Sequence, residues 1–160
     1  MPLVRKLKQM MNENIKPGTI QNIEYQMERY NRTDPDFSTT AIHGIDAVRY
    51  IMDCDYKHIK FFYQELPELG FNVANVHMYC TFENGANANL HFCPVSGAVN
   101  ERASINAMDN TFFLQMPMRN CYDWPGKLVH IKQNCVAAEL SGKEISDGEE
   151  PFETGGFYYE

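Results

Sequence analysis

Two histidines and two cysteines crowd into Asn75–Cys93 (NVHMYCTFENGANANLHFC), a grouping whose donor types suit a metal ion. Imidazole nitrogen and thiolate sulfur are the usual protein ligands of zinc and related ions. His91 and Cys93 stand two residues apart, and on a strand that spacing puts both side chains on one face. Apolar and polar residues alternate on both sides of Asn84-Gly85, a pair that marks a β-hairpin turn. A loop of two or four residues gathers Cys80, Asn89, His91 and Cys93 on one face and sends His77 to the other. A loop of three residues inverts that assignment. With an even loop, His77-x2-Cys80 and His91-x-Cys93 cannot converge into the tetrahedron that structural zinc needs.

Other chemistries leave fainter traces. Cys80 and His91 form the one thiol–imidazole pair that local geometry could bring together for nucleophilic attack. No G-x-S-x-G, P-loop or G-x-G-x-x-G occurs, which disfavours serine hydrolases and nucleotide-binding folds. The helical segment His43–Tyr50 (HGIDAVRY) is similar to a motif near the end of phage terminase nucleases. Without further acidic motifs it reads as an amphipathic helix with Asp46 toward solvent.

The elements that must position these groups divide the chain. Leu3, Val4, Leu7, Met10 and Met11 predict a helix over 2–14, stopped by Lys16-Pro17-Gly18. Ile20, Ile23, Met27 and Tyr30 predict a second helix over 20–31, capped by Thr19. Further helices are predicted at 41–52 and 56–66, the latter with Lys57, His58 and Lys60 on its wet face. Strands are expected at 72–82, 88–93, 111–118, 127–132, 134–140 and 156–160. The fold class is therefore α+β: N-terminal helices packed on an antiparallel β-sheet or a double-stranded β-helix (jelly-roll-like) barrel. One domain over 1–160 is expected, mainly helical over 1–70 and mainly β over 71–160.

Composition narrows the function classes. The chain has 14 basic and 21 acidic residues, a formal charge of −7, so a large basic nucleic-acid surface is not expected. The N-terminus lacks a secretory pattern and no apolar run reaches membrane-spanning length. Five cysteines without a CxxC suit reduced thiols in the cytoplasm. Fourteen asparagines suit a loop-rich protein and are compatible with an AT-rich genome such as a phage's, hence host cytoplasm or virion as the setting. The segment 146–160 reads as a final strand or as an arm that contacts another chain, so a protein partner or homo-oligomer is expected.

Gly85-x5-His91, followed after one residue by Cys93, resembles the first metal motif of the cupins. Pro125-x4-His130-x3-Asn134 is similar to their second motif. Thr111–Cys121 (TFFLQMPMRNC) resembles a strand of the 2-oxoglutarate and Fe(II)-dependent oxygenases, without a His-x-Asp pair near Ile105–Asp109. The resemblance implies a double-stranded β-helix with Fe(II) or another divalent metal held by His91, Cys93 and His130, Glu101 being the alternative third ligand. Two functions follow from it. One is a cupin- or oxygenase-like barrel whose departures from the ligand motifs leave interactions, in a phage or viral setting, as its role. The other is a metal-dependent (Fe, Mn or Zn) oxygenase or related cupin enzyme acting on a small substrate.

Overall fold

Leu3, Val4, Leu7, Met10 and Met11 lie on one stripe of helix α1 (Pro2–Asn14) and are all buried, as their spacing requires. The structure is a computed structural model that describes residues 1–16, 18–33, 37–118 and 120–145, residues 37–39 by backbone alone. Among the described residues eight strands form one sheet: β1 (Ile20–Glu28), β2 (Tyr56–Glu65), β3 (Ala74–Phe82), β4 (Asn87–Cys93), β5 (Asn100–Ala107), β6 (Asn110–Gln115), β7 (Lys127–Lys132) and β8 (Cys135–Ser141). Their order is β2-β3-β4-β1-β5-β6-β7-β8. Every neighbouring pair is antiparallel except β1 with β4, which run parallel. Helix α2 (Phe37–Met52) carries the chain from β1 across the sheet to β2, and the short α3 (Gly142–Ile145) follows β8.

Both long helices cover the same face. α2 lies over β1 and β4, whereas α1 lies over β6 and β7. Ile23, Tyr25 and Met27 of β1, Ala88, Leu90 and Phe92 of β4, and Ala103 and Ile105 of β5 are buried beneath them. Gly44 lets α2 approach closely, because a Cβ there would stand 2.6 Å from the Tyr25 ring and 2.8 Å from the Phe92 ring. Among the described residues no helix is long and apolar enough to cross a membrane.

This architecture corrects the barrel expectation: the sheet is open, with β2 and β8 as its two edges. Two predicted helices are strands. Over 20–31 the apolar residues fit both periods, and the observed burial of Ile23, Tyr25 and Met27 between Asn22, Glu24, Gln26 and Glu28 has a period of two. Over 56–66, Ile59, Phe61, Phe62 and Tyr63 form an aromatic and β-branched run that suits a pleated surface. Lys57, His58 and Lys60 thus belong to β2. The helices over 2–14 and 41–52 and the strands around 72–82, 88–93, 111–118, 127–132 and 134–140 are observed with small shifts of boundary, while β5 lacked a prediction. The segment 146–160, read as a strand or an arm, lies outside the described residues.

Candidate functional site

The β3–β4 turn sets the site. Phe82 N–H donates to the Ala86 carbonyl (2.9 Å) and Gly85 N–H to the Phe82 carbonyl (3.0 Å), enclosing Glu83, Asn84 and Gly85. The Asn84 side chain accepts from Ala86 N–H at 3.0 Å, and Gly85 takes φ +87°. A three-residue loop with glycine in the left-handed region is a standard hairpin closure. Its odd length pairs His77 with His91 and Cys80 with Ala88. The even-loop assignment is therefore reversed. Cys80 is buried beneath the helices, whereas His77, His91 and Cys93 face the uncovered side.

On that open face a trough of about 970 Å³ runs across the strands from β2 to β5. Lys60 and Phe62 stand at one end and Arg102 and Ser104 at the other, with His77, Tyr79, Asn89, His91, Glu24 and Gln26 between. The His77 and His91 rings stack at 4.4 Å, 9° from parallel. Burial lowers the pKa of His91 below the ordinary histidine value, the neighbouring His77 lowers it further, and Glu28 opposes the shift. Lys60 lies 4.7 Å from the Phe62 ring centre.

Amides hold the carboxylates in place. Asn89 Nδ2 donates to Glu24 Oε1 (2.7 Å), Gln26 Nε2 to Glu28 Oε1 (2.5 Å) and Asn100 Nδ2 to Glu28 Oε2 (2.5 Å). Arg102 grips Asp123 through Nε and Nη2 at 2.7 and 2.8 Å. Behind this row, on the covered face, Glu101 accepts from Tyr25 Oη and from Arg29 Nη2 (2.6 Å for the latter). Planar side chains with fixed donors and acceptors, beside aromatic faces, can bind a small polar molecule rich in hydroxyl groups.

The residues expected to bind metal are dispersed. His91 and Cys93 share the open face of β4, while His130 sits four strands away on β7 with its side chain on the covered face. At strand spacing that separation is roughly 19 Å. His130 stacks on Phe112 at 4.4 Å and its Nε2–H donates to Asn110 Oδ1 (2.8 Å). Glu101 is buried on β5 and engaged by Arg29 and Tyr25. The Cys93 thiol donates to the Val95 carbonyl at 3.6 Å, and burial pushes its pKa up. Among the described residues no three or more His, Cys, Asp or Glu side chains form a metal-binding group. Cys80 and His91 lie on opposite faces, so they are no catalytic pair, and burial raises the Cys80 pKa to about 11. In α2, His43 is exposed, Asp46 is half-buried, and Ala47, Val48 and Ile51 pack on the sheet.

Sequence reasoning missed His77, Lys60, Phe62, Glu24, Gln26 and Arg102. The signal was present in the alternation of Asn22, Glu24, Gln26 and Glu28 in β1, within a segment read as a helix over 20–31 from Ile20, Ile23, Met27 and Tyr30.

The sequence matches no protein-family model and no curated protein. Solved structures do match. An oxidoreductase from Pseudomonas syringae aligns with a TM-score of 0.70 at 14% identity, over 88% of this chain and 38% of that one. An inositol dehydrogenase homolog from Azotobacter vinelandii, crystallised with NADH and myo-inositol, aligns with a TM-score of 0.65 at 13% identity, over 88% of this chain and 39% of that one. An oxidoreductase from Sinorhizobium meliloti gives a TM-score of 0.66 at 13% identity, over 87% and 39%. The chain thus spans about two-fifths of the length of these proteins. Their shared fold replaces the cupin and 2-oxoglutarate oxygenase resemblance, which rested on short motif spacings. Neither the barrel protein of viral setting nor the metal-dependent oxygenase has support from these structures.

Proposed function

We propose that this chain forms the substrate-side sheet of a nicotinamide-dependent oxidoreductase, and that its open face binds a small polyhydroxylated molecule. The observation that carries the reading is the fold itself, shared over 88% of the chain with a protein crystallised with NADH and myo-inositol. The nucleotide belongs to another unit. A dinucleotide cradle needs a glycine-rich turn between a parallel strand and a helix. Here the β1–α2 connection reads Arg29–Asp36 (RYNRTDPD), without glycine, and among the described residues six of the eight strands have no parallel neighbour.

What the chain supplies is recognition. Glu24 with Asn89, beside Gln26, offers paired acceptors and donors for hydroxyl groups along the trough. His91, with its lowered pKa, favours a neutral ring that can accept a hydroxyl proton near neutral pH. Phe62 and Tyr79 give apolar faces for the carbon skeleton.

Backbone amide NMR of the chain titrated with myo-inositol, and separately with NADH, tests the reading. Shifts at Glu24, Gln26, His77 and His91 with the polyol, weakened by Glu24→Ala, support it. The absence of polyol shifts on these strands refutes the polyol site. Tight NADH binding by this chain refutes the assignment of the nucleotide to another unit.

A further inference from the structure

The edge strand β2 is long and carries large exposed apolar side chains beyond the bulge between Tyr56 and His58 that, with its lysines, blunts one end. It is ten residues long, and nine of them are exposed. Large apolar side chains stand on both of its faces: Phe62 toward the trough, and Ile59, Phe61 and Tyr63 on the side of the helices. The helix layer does not reach them, because α2 covers β1 and β4. Tyr63 is 63% exposed, and beyond the strand Phe71 is 87% exposed. Among the described residues nothing pairs with the outer edge of β2. The opposite edge, β8, carries one large exposed hydrophobic residue, Val136.

We propose that β2 pairs antiparallel with β2 of a second copy of this chain, centred on Phe61, to join two sheets into one. The sequence Tyr56–Glu65 (YKHIKFFYQE) is self-complementary in that register. Phe61 meets Phe61 on the two-fold axis and Ile59 meets Tyr63, so the helix-side residues form one apolar row. Lys60 meets the partner's Phe62, an arrangement that Lys60 and Phe62 already adopt within one chain. Toward the ends His58 comes opposite Gln64, and Lys57 lies at the bulge between Tyr56 and His58, outside the regular pairing. Moving the centre to Lys60 would set the two lysines against each other, and like charges directly opposite are destabilising. Lys60, which discourages a foreign strand, therefore finds a partner ring in a second copy, which favours this occupant over an unrelated peptide. The register keeps both helix layers on the same side and leaves the two troughs open.

Sedimentation velocity and light scattering of the full chain across micromolar concentrations test the proposal. A concentration-dependent dimer is expected. Phe61→Lys, which puts two cations on the axis, should abolish it without lowering the melting temperature, since this side chain is exposed. Lys60→Glu removes the cation set over the partner's Phe62 and should weaken the dimer about tenfold, whereas Lys60→Arg, which keeps the cation, should not. A monomer at every concentration overturns the proposal. So does a dimer indifferent to Phe61→Lys, as from pairing through the trough face or through residues 146–160, or one weakened equally by Lys60→Arg and Lys60→Glu. The polyol titration reports on different residues, so either result can fail alone.

Discussion

Replacing Glu101 by alanine should be among the most damaging single changes in the chain, and the structure says by how much. Glu101 is 4% exposed, and its carboxylate accepts from the Tyr25 phenol and, at 2.6 Å, from the Arg29 guanidinium. Arg29 is itself anchored to the carbonyls of Glu28 (3.0 Å) and Asn100 (3.2 Å), so it cannot swing out to water without breaking those bonds. Truncation leaves a largely buried cation without its counter-ion, a change that costs about 3–5 kcal/mol. Domains are stable by about 5–15 kcal/mol, so this is a large fraction of the total. With a urea m-value of about 2 kcal/mol per molar, the unfolding midpoint should fall by roughly 1.5–2.5 M. Glu101→Gln keeps an acceptor for Tyr25 and should cost less than alanine. Arg29→Met combined with Glu101→Leu removes both charges and should cost less than the sum of the single changes, with a coupling of about 1–3 kcal/mol. Urea unfolding followed by far-ultraviolet circular dichroism and Trp124 fluorescence measures these variants, the single changes Arg29→Met and Glu101→Leu, and the unmodified chain. A midpoint shift below roughly 0.5 M for Glu101→Ala, or strict additivity in the cycle, would refute the reasoning.

Two more predictions concern the histidines and the helix contact. Burial lowers the pKa of His91 and of His130, so below the ordinary histidine value the unfolded chain binds protons that the folded chain resists. Their contribution to stability is complete above about pH 6.5 and declines as the pH falls through and below that value. Melting temperatures between pH 7 and 5 should fall less steeply for His91→Gln than for the unmodified chain; an unchanged slope would count against the assignment. Gly44→Ala gains about 1 kcal/mol of helix propensity but drives a Cβ to within 2.6 Å of the Tyr25 ring, and overpacking costs about 1–3 kcal/mol. A net loss of stability by thermal melting is expected, and a gain would show that α2 stands off the sheet.

The legible parts of the fold were those where one period fitted. In α1, Leu3, Val4, Leu7, Met10 and Met11 admit only a helical stripe, and β7 was delimited by its alternation. Residues 20–28 were ambiguous because Ile20, Ile23 and Met27 fit a helix, while Ile23, Tyr25 and Met27 fit a strand. The sheet resolves the choice. A helix could not supply the central strand that pairs with both β4 and β5, and those contacts are distant in sequence. The buried charge cluster was hidden for the same reason. Tyr25 and Arg29 meet Glu101 across 76 and 72 residues, and no local spacing announces such a contact.

Loop parity decided the rest, and the core explains why it falls as it does. In the observed register Met78, Cys80 and Phe82 of β3 and Ala88, Leu90 and Phe92 of β4 are all buried under one layer. Changing the face of β3 by one residue would expose Met78 and Phe82 and drive His77, Tyr79 and Thr81 into the core. Full burial of an apolar side chain of that size is worth about 1.5–3 kcal/mol, so the slip forfeits several kcal/mol before the new buried polar groups are counted. The stacked histidines of the open face are thus a consequence of what the opposite face must bury. A ligand that exploits them meets a surface whose geometry is enforced from behind, which is what a preorganised site requires.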